Sequence, residues 1–230
     1  MSNFRQHYFV RPDGLDDNDG SRDDPSGAFL TIQRAIEAAS SISSLPTSSV
    51  TIHVAHGRYG TGIAVSGPTP AKPDKNGFLL LLLGDEEHPD KVVVDVTSAD
   101  AVRCTDGASI LVAGMTLRTR LSGNLFTAKR RSTIAHRNCI LDTAASETIY
   151  AHRYAEVYAL GPTTVSGGSS AFAHATARAT ISFYHQKIIF GESVHFATYL
   201  WGVNDATVRL DKCHIIGHAT GPICVHVNGT

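Results

Sequence analysis

Residues 110–112 read Ile-Leu-Val, and equivalent groups of three residues return at nearly regular intervals along the rest of the chain. Four such groups follow at offsets of 24, 23, 24 and 27 residues, namely Ile134-Ala-His, Val157-Tyr-Ala, Ile181-Ser-Phe and Val208-Arg-Leu. We call the first residue of each group an anchor. About seven residues after each anchor lies a second recurring position, in order Leu117, Leu141, Thr164, Ile188 and Ile215. A self-similar period of about 20–50 residues indicates a solenoid or another repeat array.

The repeating unit is built from strands rather than helices. Each period holds two or three short alternating runs separated by Gly, Asn, Asp or Ser, without an amphipathic stretch of helical length. Stacking such units places equivalent residues at intervals of about 4.8 Å, the spacing of hydrogen-bonded strands. The period therefore predicts an all-β protein, a parallel β-helix with rungs of about 24 residues.

Composition agrees with one folded unit. The chain has 230 residues, 42% of them hydrophobic and 18% charged, and a solenoid adds its core one rung at a time. The net charge of −1 gives no electrostatic reason to expect a nucleic-acid partner. The longest apolar run, residues 78–83, is too short to insert into a membrane, and residues 1–7 lack the apolar segment of a signal peptide. We therefore expect no nucleic-acid binding, no membrane insertion and no signal-directed export.

The pattern divides the chain into an N-terminal cap, residues 1–49, and a β-helix, residues 50–230. The cap is predicted to hold a short strand, an aspartate-rich turn over residues 13–24 and a helix over residues 28–41 with Ser26 as its N-cap. One face of this helix collects Phe29, Ile32, Ile36 and Ala39. A helix laid over the first rung would cover core and strand edges that are otherwise exposed at the end of a solenoid.

The opening residues resemble a known family. They read Tyr8-Phe-Val-Arg-Pro-Asp-Gly, Asp16-Asp-Asn-Asp-Gly, Ala28-Phe-Leu-Thr-Ile-Gln-Arg-Ala-Ile-Glu-Ala-Ala and Val50-Thr-Ile-His-Val-Ala-His-Gly-Arg-Tyr-Gly. These segments are similar to the start of pectate-lyase-like parallel β-helix proteins, especially tail, tailspike and receptor-binding proteins of bacteriophages. The specific part covers residues 8–65 and carries no catalytic residue; the remaining residues match only as a rung pattern.

The resemblance implies a right-handed, single-stranded coil that is commonly trimeric. Such a protein either builds part of a virion or binds, and sometimes cleaves, bacterial surface polysaccharide. It implies a phage-tail location after synthesis in the host cytoplasm, with other virion proteins and copies of the same chain as partners. Because a fold does not determine function, a site has to be argued from the residues of this chain.

One column of residues is a candidate binding face. Seven residues before the five anchors stand Arg103, Thr127, Tyr150, His174 and Trp201; eight residues before them stand Val102, Phe126, Ile149, Ala173 and Leu200. Strand alternation sends the apolar second set into the core and the first set outward. Three consecutive rungs then expose a ring, which suits stacking against sugar rings. The same rings equally suit packing against another subunit or a plain solvated surface.

Polar residues accompany this column. Lys129 and His152 stand five residues before their anchors, and Asp106, Arg130 and Arg153 stand four residues before theirs. Arginine fits carboxylate-bearing sugars, and in a polysaccharide lyase an Arg or Lys can take the proton beside a uronate carboxyl. Long side chains at a turn also extend simply into solvent, so both interpretations stay open. The candidate glycan face comprises Tyr150, His174, Trp201, Lys129, His152, Arg130 and Arg153.

Catalytic carboxylates are less clearly indicated. Glycosidases need a pair of them, about 5 Å apart for retention or 6.5–9.5 Å for inversion. Asp106 and Asp205 are four rungs apart, roughly 19 Å at the strand spacing. Glu147 comes closer to Asp142 across one turn, or to Glu156 within one rung, but neither pair follows a known motif. Catalytic residues therefore stay unknown.

Metal and cofactor sites have no clear signature. The twelve histidines scatter over different offsets without structural-zinc spacing, and His136 falls at an inward-facing position typical of a core histidine. The aspartate-rich turn lacks EF-hand spacing, and Asx turns account for its composition. We expect no metal and no cofactor.

Two functions of different classes remain open. The first is a virion-associated β-helix with a structural role or a role in binding a receptor glycan on the bacterial surface. The second is a depolymerase, either a polysaccharide lyase or a glycoside hydrolase. The sequence also ends directly after a predicted strand at residues 223–226, so we expect another subunit or protein to cover the last rung.

Overall fold

The computed structural model describes residues 5–41, 49–67, 80–192 and 194–225. The chain forms a right-handed parallel β-helix, visiting three parallel sheets in turn and returning to the first after each rung. The predicted all-β solenoid class is therefore confirmed. The Ser-rich residues 40–49 and the Pro-rich residues 66–77 are predicted from composition to be loops, and most of both segments lies outside the described part.

The strands of each sheet follow one another in chain order. The first sheet contains Arg5–Val10, Ser49–Val54, Leu80–Leu83, Ser109–Ala113, Thr133–Arg137, Glu156–Ala159, Thr180–Ser182 and Thr207–Arg209. The second contains Gly57–Tyr59, Val92–Ser98, Thr116–Ser122, Cys139–Leu141, Thr163–Val165, Lys187–Phe190 and His214–Ile216. The third contains Ile63–Ser66, Val102–Thr105, Phe126–Lys129, Glu147–His152, Ser169–Thr176 and Val194–Val203, which pairs with both Ala219–Thr220 and Ile223–Val225. A short 3₁₀ helix, Pro89–Lys91, precedes the second strand of the second sheet.

The five anchors pair with one another along the first sheet. Ile110 pairs with Ile134, Ile134 with Val157, Val157 with Ile181, and Ile181 with Val208. The first four are fully buried or nearly so. The 24-residue period therefore gives the register of this sheet residue by residue.

The second recurring position is correct in the first two rungs and again in the last two, where Ile188 pairs with Ile215, but it fails at Thr164 between them. Leu117 pairs with Leu141, but Leu141 pairs with Val165 rather than with Thr164. Val165 pairs in turn with Phe190, not with Ile188. The cause is the corner between the first and second sheets, which lengthens along the chain: residue 138 in one rung, residues 160–162 in the next and residues 183–186 in the third.

The N-terminal helix spans Ile32–Ser40 and begins four residues later than predicted. Its N-cap is Thr31, whose hydroxyl accepts a hydrogen bond from the backbone N–H of Arg34 at 3.2 Å. The proposed cap, Ser26, instead closes an Asx turn, donating from its N–H and its hydroxyl to the Asp24 carboxylate at 2.9 and 2.7 Å. The chain stays non-helical until Thr31 because side chains of the aspartate-rich turn hold it.

The apolar face of the cap is buried as predicted. Phe29, Ile32, Ile36 and Ala39 each expose 3% or less of their surface. Phe29 itself lies before the helix, in a parallel bridge with Val10. Since the strand Arg5–Val10 pairs with Ser49–Val54, the cap continues the first sheet of the solenoid and packs directly on its core.

The interior between the sheets is filled with apolar side chains. Around Phe172, four rings lie 5.4–5.5 Å away between centroids: Phe183, Phe190, Phe196 and Tyr199. His136 is fully buried between Phe126 and Phe183, in agreement with its inward-facing offset. Within the described ranges, no helix is long and apolar enough to cross a membrane.

Candidate functional site

The predicted column forms a ladder of paired residues on the third sheet, although one of its members, Thr127, is buried rather than outward-facing. Thr127 pairs with Arg103 and with Tyr150, Tyr150 pairs with His174, and His174 pairs with Trp201. The inward partners also follow the predicted order, Val102, Phe126, Ile149, Ala173 and Leu200, and the first four are completely buried. Strand alternation thus separates a core column from a surface column.

Three rings of this column lie against one another. His174 and Trp201 stack face to face, with ring centroids 4.1 Å apart and planes 7° apart. Tyr150 lies on the preceding rung, its centroid 5.1 Å from that of His174 and tilted by 54°. All three side chains are partly buried, and their contacts make one continuous aromatic strip.

The column does not continue as an open surface toward the N-terminus. Thr127 is fully buried, and its hydroxyl accepts a hydrogen bond from the Asn124 amide at 2.9 Å. Arg103, one rung earlier, is exposed. The aromatic strip is therefore limited to the rungs of Tyr150, His174 and Trp201.

A carboxylate that the sequence did not place on this face contacts the strip. Nδ1 of His174 lies 2.6 Å from Oε1 of Glu147, and both side chains are largely shielded from solvent. An ionised Glu147 carboxylate only accepts hydrogen bonds, so in this contact Nδ1–H of His174 is the donor. Burial and the nearby Glu147 charge both raise the pKa of Tyr150, which keeps its phenol protonated.

A polar column runs beside the rings, two residues further along each strand. Lys129 pairs with His152, as predicted from their common offset. The ammonium of Lys129 lies 5.3 Å from the centre of the Tyr150 ring, and the His152 ring stacks at 6.1 Å from it. Burial, together with the charges of Arg153 and Lys129, lowers the pKa of His152, so its imidazole is neutral near pH 7.

The predicted ladder of Asp106, Arg130 and Arg153 forms the corner at the end of these strands. Arg130 donates two hydrogen bonds to the Asp106 carboxylate, Nη2 to Oδ2 at 2.8 Å and Nε to Oδ1. This pairing lowers the pKa of Asp106. In the part of the chain that the structure describes, Arg153 makes no ion pair, so one of the two predicted guanidinium groups is compensated and the other is not.

The carboxylates considered for glycosidase chemistry are engaged by different partners. Asp142 accepts from Nε of Arg118 at 2.8 Å, Glu147 contacts His174, and Glu156 is exposed at the start of its strand. Across the described ranges, no three His, Cys, Asp or Glu side chains come together in a group that holds a metal ion. What the face offers chemically is therefore ring surfaces, cations and one carboxylate-bound imidazole.

The sequence pattern could assign each residue to a column, but it could not reveal the contact between Glu147 and His174. Glu147 is the first residue of its strand, three residues before Tyr150. At a strand end, the position of a residue within the repeat does not predict which way its side chain points. Comparison with protein-family models, with curated proteins and with solved structures finds no match for the chain.

Proposed function

We propose that this chain binds a surface glycan through the aromatic strip formed by Tyr150, His174 and Trp201. The observation that carries the proposal is their stacked arrangement on three successive rungs. Sugar rings present apolar C–H faces that pack against aromatic side chains, and aromatic residues dominate binding energy at many interfaces. A strip parallel to the solenoid axis suits an elongated polysaccharide.

Polar groups beside the strip supply hydrogen-bond donors for sugar hydroxyls. Lys129 and His152 lie two residues further along their strands than Thr127 and Tyr150. Arg130 and Arg153 follow directly at the corner. Binding sites of this kind combine ring surfaces with a few placed polar groups. All seven predicted residues therefore belong to one connected surface on the third sheet and its corner.

The biological setting we propose is a bacteriophage tail, with a bacterial surface polysaccharide as receptor. Support comes from the opening segments at residues 8–65, which resemble pectate-lyase-like tail and tailspike proteins, and from the β-helix itself. The same resemblance leads us to propose a homotrimer that associates with other virion proteins. Measurement of the molar mass in solution tests the trimer.

Binding is tested by titrating the protein with capsular polysaccharides and lipopolysaccharides from a panel of bacteria. The heat of binding, or the mass bound to immobilised protein, is measured at each step. The proposal expects saturable binding of at least one polymer, lost in the double variant Tyr150→Ala/Trp201→Ala. If that variant keeps its affinity for glycan but loses its oligomeric state, the strip is a subunit contact and the proposal is wrong.

A second candidate function, depolymerisation of the glycan, is favoured by one observation. A carboxylate that orients an imidazole, as Glu147 does His174, is the arrangement by which many enzymes position a general base. Incubation of a bound polysaccharide with the protein, followed by assays for new reducing ends and for unsaturated uronate, distinguishes the two functions. Cleavage that disappears in Glu147→Gln supports the enzyme; an intact polymer supports binding alone.

A further inference from the structure

The corner between the third and first sheets has the same unusual backbone in five consecutive rungs. Two successive residues of each corner have positive φ angles, between 53° and 84°. They are Asp106-Gly107, Arg130-Arg131, Arg153-Tyr154, Ala177-Arg178 and Asn204-Asp205. Backbone hydrogen bonds continue across these rungs, for example from the N–H of Arg131 to the carbonyl of Arg153 at 3.0 Å. We call these ten residues the corner ridge.

The composition of the corner ridge does not follow from its backbone. Left-handed backbone favours Gly and Asn and costs other residues roughly 1–2 kcal/mol each. Gly107, Asn204 and, to a lesser degree, Asp106 and Asp205 suit this backbone, whereas four of the ten residues are arginines. Residues held in strained backbone conformations often cluster at functional sites.

The charges of the ridge are only partly compensated. Arg130 pairs with Asp106, and Nε of Arg178 lies 3.4 Å from a carboxylate oxygen of Asp205. Among the described residues, neither Arg131 nor Arg153 pairs with a carboxylate. Cations on neighbouring rungs, about 5 Å apart, repel each other by roughly 0.8 kcal/mol even in water, and a bound anion would relieve this repulsion.

A groove runs over this part of the ridge. Its lining consists of Asp106, Gly107, Arg130, Arg131, Arg153 and Tyr154. Tyr154 is half-exposed, and its ring lies 5.8 Å from the guanidinium carbons of both Arg131 and Arg178. The groove thus offers guanidinium forks beside an aromatic ring, and such forks match the geometry of carboxylate and phosphate groups.

From this geometry we infer that the glycan is acidic, and that the corner ridge binds its carboxylate or phosphate groups while the aromatic strip binds its ring faces. This inference rests on the proposed function. Tyr150 and Arg153 are three residues apart on one strand and its corner, about 10 Å, with His152 between them. Because this separation runs along the strand, the two surfaces lie side by side along the solenoid axis, and a polymer that runs along the axis over the rings has the ridge about 10 Å to one side. The pKa of His152 is lowered first by burial and then by the positive charges of Arg153, Lys129 and Arg130.

A glycan fits these observations better than a nucleic acid. The chain as a whole has a net charge of −1 and a sequence pI near 6.9, whereas nucleic-acid-binding domains carry a strong basic excess. The excess of cations here is confined to one corner of a few rungs. Such a local feature matches acidic groups spaced along a sugar chain.

The test compares acidic and neutral polymers, with polygalacturonate and its methyl ester as a pair that shares one backbone. Six polymers are each titrated into the full chain at low and moderate salt. The acidic glycans are polygalacturonate, alginate and a polyribitol-phosphate teichoic acid. The neutral glycans are fully methyl-esterified polygalacturonate and dextran, and single-stranded DNA is the sixth polymer. We expect at least one acidic glycan to bind, with affinity that falls as salt rises, and the methyl ester and dextran to bind at least about tenfold more weakly. The carboxylate and phosphate arms identify which acidic group is preferred.

The matched variants are Arg131→Gln/Arg153→Gln and, as a control, Arg22→Gln/Arg209→Gln. Both doubles remove two exposed charges, but Arg22 and Arg209 lie away from the ridge, each beside an aspartate. We expect the first double to weaken acidic-glycan binding about tenfold with an unchanged thermal midpoint, and the control to bind like the parent protein.

Four outcomes would overturn the inference. Equal affinity for charged and esterified polymer, or an unaltered affinity in the ridge variant, shows that the glycan is bound without its acidic groups, and the proposed function survives. DNA bound as tightly as the best glycan also contradicts it. If no glycan of either charge binds, the proposed function fails together with the inference.

Discussion

His174 and Trp201 stack in parallel on adjacent rungs, with ring centroids 4.1 Å apart. Their strands are paired in register, so the rings sit directly above one another along the solenoid axis. Glu147 holds the edge of the imidazole at Nδ1, and Tyr150 packs on the preceding rung. The strip is therefore fixed by backbone register and by one hydrogen bond, which leaves little side-chain entropy to lose when a ligand binds.

Replacement of Trp201 by Ala should weaken glycan binding by roughly thirtyfold, the effect of losing one interfacial hot-spot residue of about 2 kcal/mol. Calorimetric titration with the tightest-binding polymer measures the change. Tyr184→Ala is the matched control, because Tyr184 is an exposed ring at a different corner, beside Arg209 and Lys212. A similar loss of affinity in both variants would speak against a specific role of the strip.

Burial of His136 should make stability depend on pH in a defined window. Burial lowers its pKa to about 3 in the folded protein, whereas the unfolded chain has a value near 6.5. Between these values only the unfolded state binds the proton, so the free energy of unfolding falls as pH drops, by up to about 1.4 kcal/mol per unit. Above pH 6.5 this contribution is constant.

The variant His136→Leu removes that proton and the buried Nε2, which has no hydrogen-bond partner among the described residues. We expect a gain of about 1 kcal/mol at pH 7 and a flatter pH profile, measured by urea unfolding between pH 4 and 8. His185→Asn, at an exposed turn, is the control and should keep the parent slope. If His136→Leu also keeps the parent dependence of unfolding free energy on pH, groups other than His136 cause that dependence.

Asp95 should be the most sensitive carboxylate of the second sheet. Its side chain is only 2% exposed, and three arginines surround it: Arg120 at 2.6 and 2.7 Å, Arg118 at 3.8 Å, and Arg58 in direct contact. Asp95→Asn leaves these cations without their shared anion. We predict a loss of about 2–4 kcal/mol in denaturant unfolding, since a buried charge network loses its centre. Asp211→Asn, in an exposed pair, should change stability little.

Arg131→Gly should separate stability from binding at the corner ridge. Arg131 has a φ angle of 60°, which Gly adopts without the steric cost of a β-carbon. We expect the free energy of unfolding to rise by up to about 1 kcal/mol while acidic-glycan affinity falls. A variant that is less stable than the parent protein would show that the arginine supports the fold, for example through its ring contact with Tyr154.

The register of two sheets was predictable because apolar residues repeat where strands are buried. The anchors and the column of Arg103, Thr127, Tyr150, His174 and Trp201 fall in the predicted pairs. The second recurring position failed at Thr164, since corner lengths change from rung to rung and leave no apolar signal. A fixed offset holds only while no turn between the two positions gains a residue.

Side-chain contacts across corners were not predictable. The pairing of Glu147 with His174 depends on where a strand begins, and the caps of Ser26 and Thr31 depend on which carboxylate reaches which donor. The left-handed ridge also has a weak signature, because arginine is not typical of that backbone. The chemistry of the proposed site depends on these contacts. The repeat pattern therefore predicted which face of the third sheet carries the proposed site, but not the charges and hydrogen bonds on that face.

The emission of Trp201 tests the central claim most directly, because it is the only tryptophan of the chain and lies in the proposed strip. The protein is titrated with the panel of acidic and neutral polymers while tryptophan fluorescence and, independently, heat of binding are recorded. The account predicts a saturable change in emission whose midpoint agrees with the calorimetric one and is displaced by salt. Calorimetric binding with unchanged Trp201 emission would place the glycan elsewhere and contradict it.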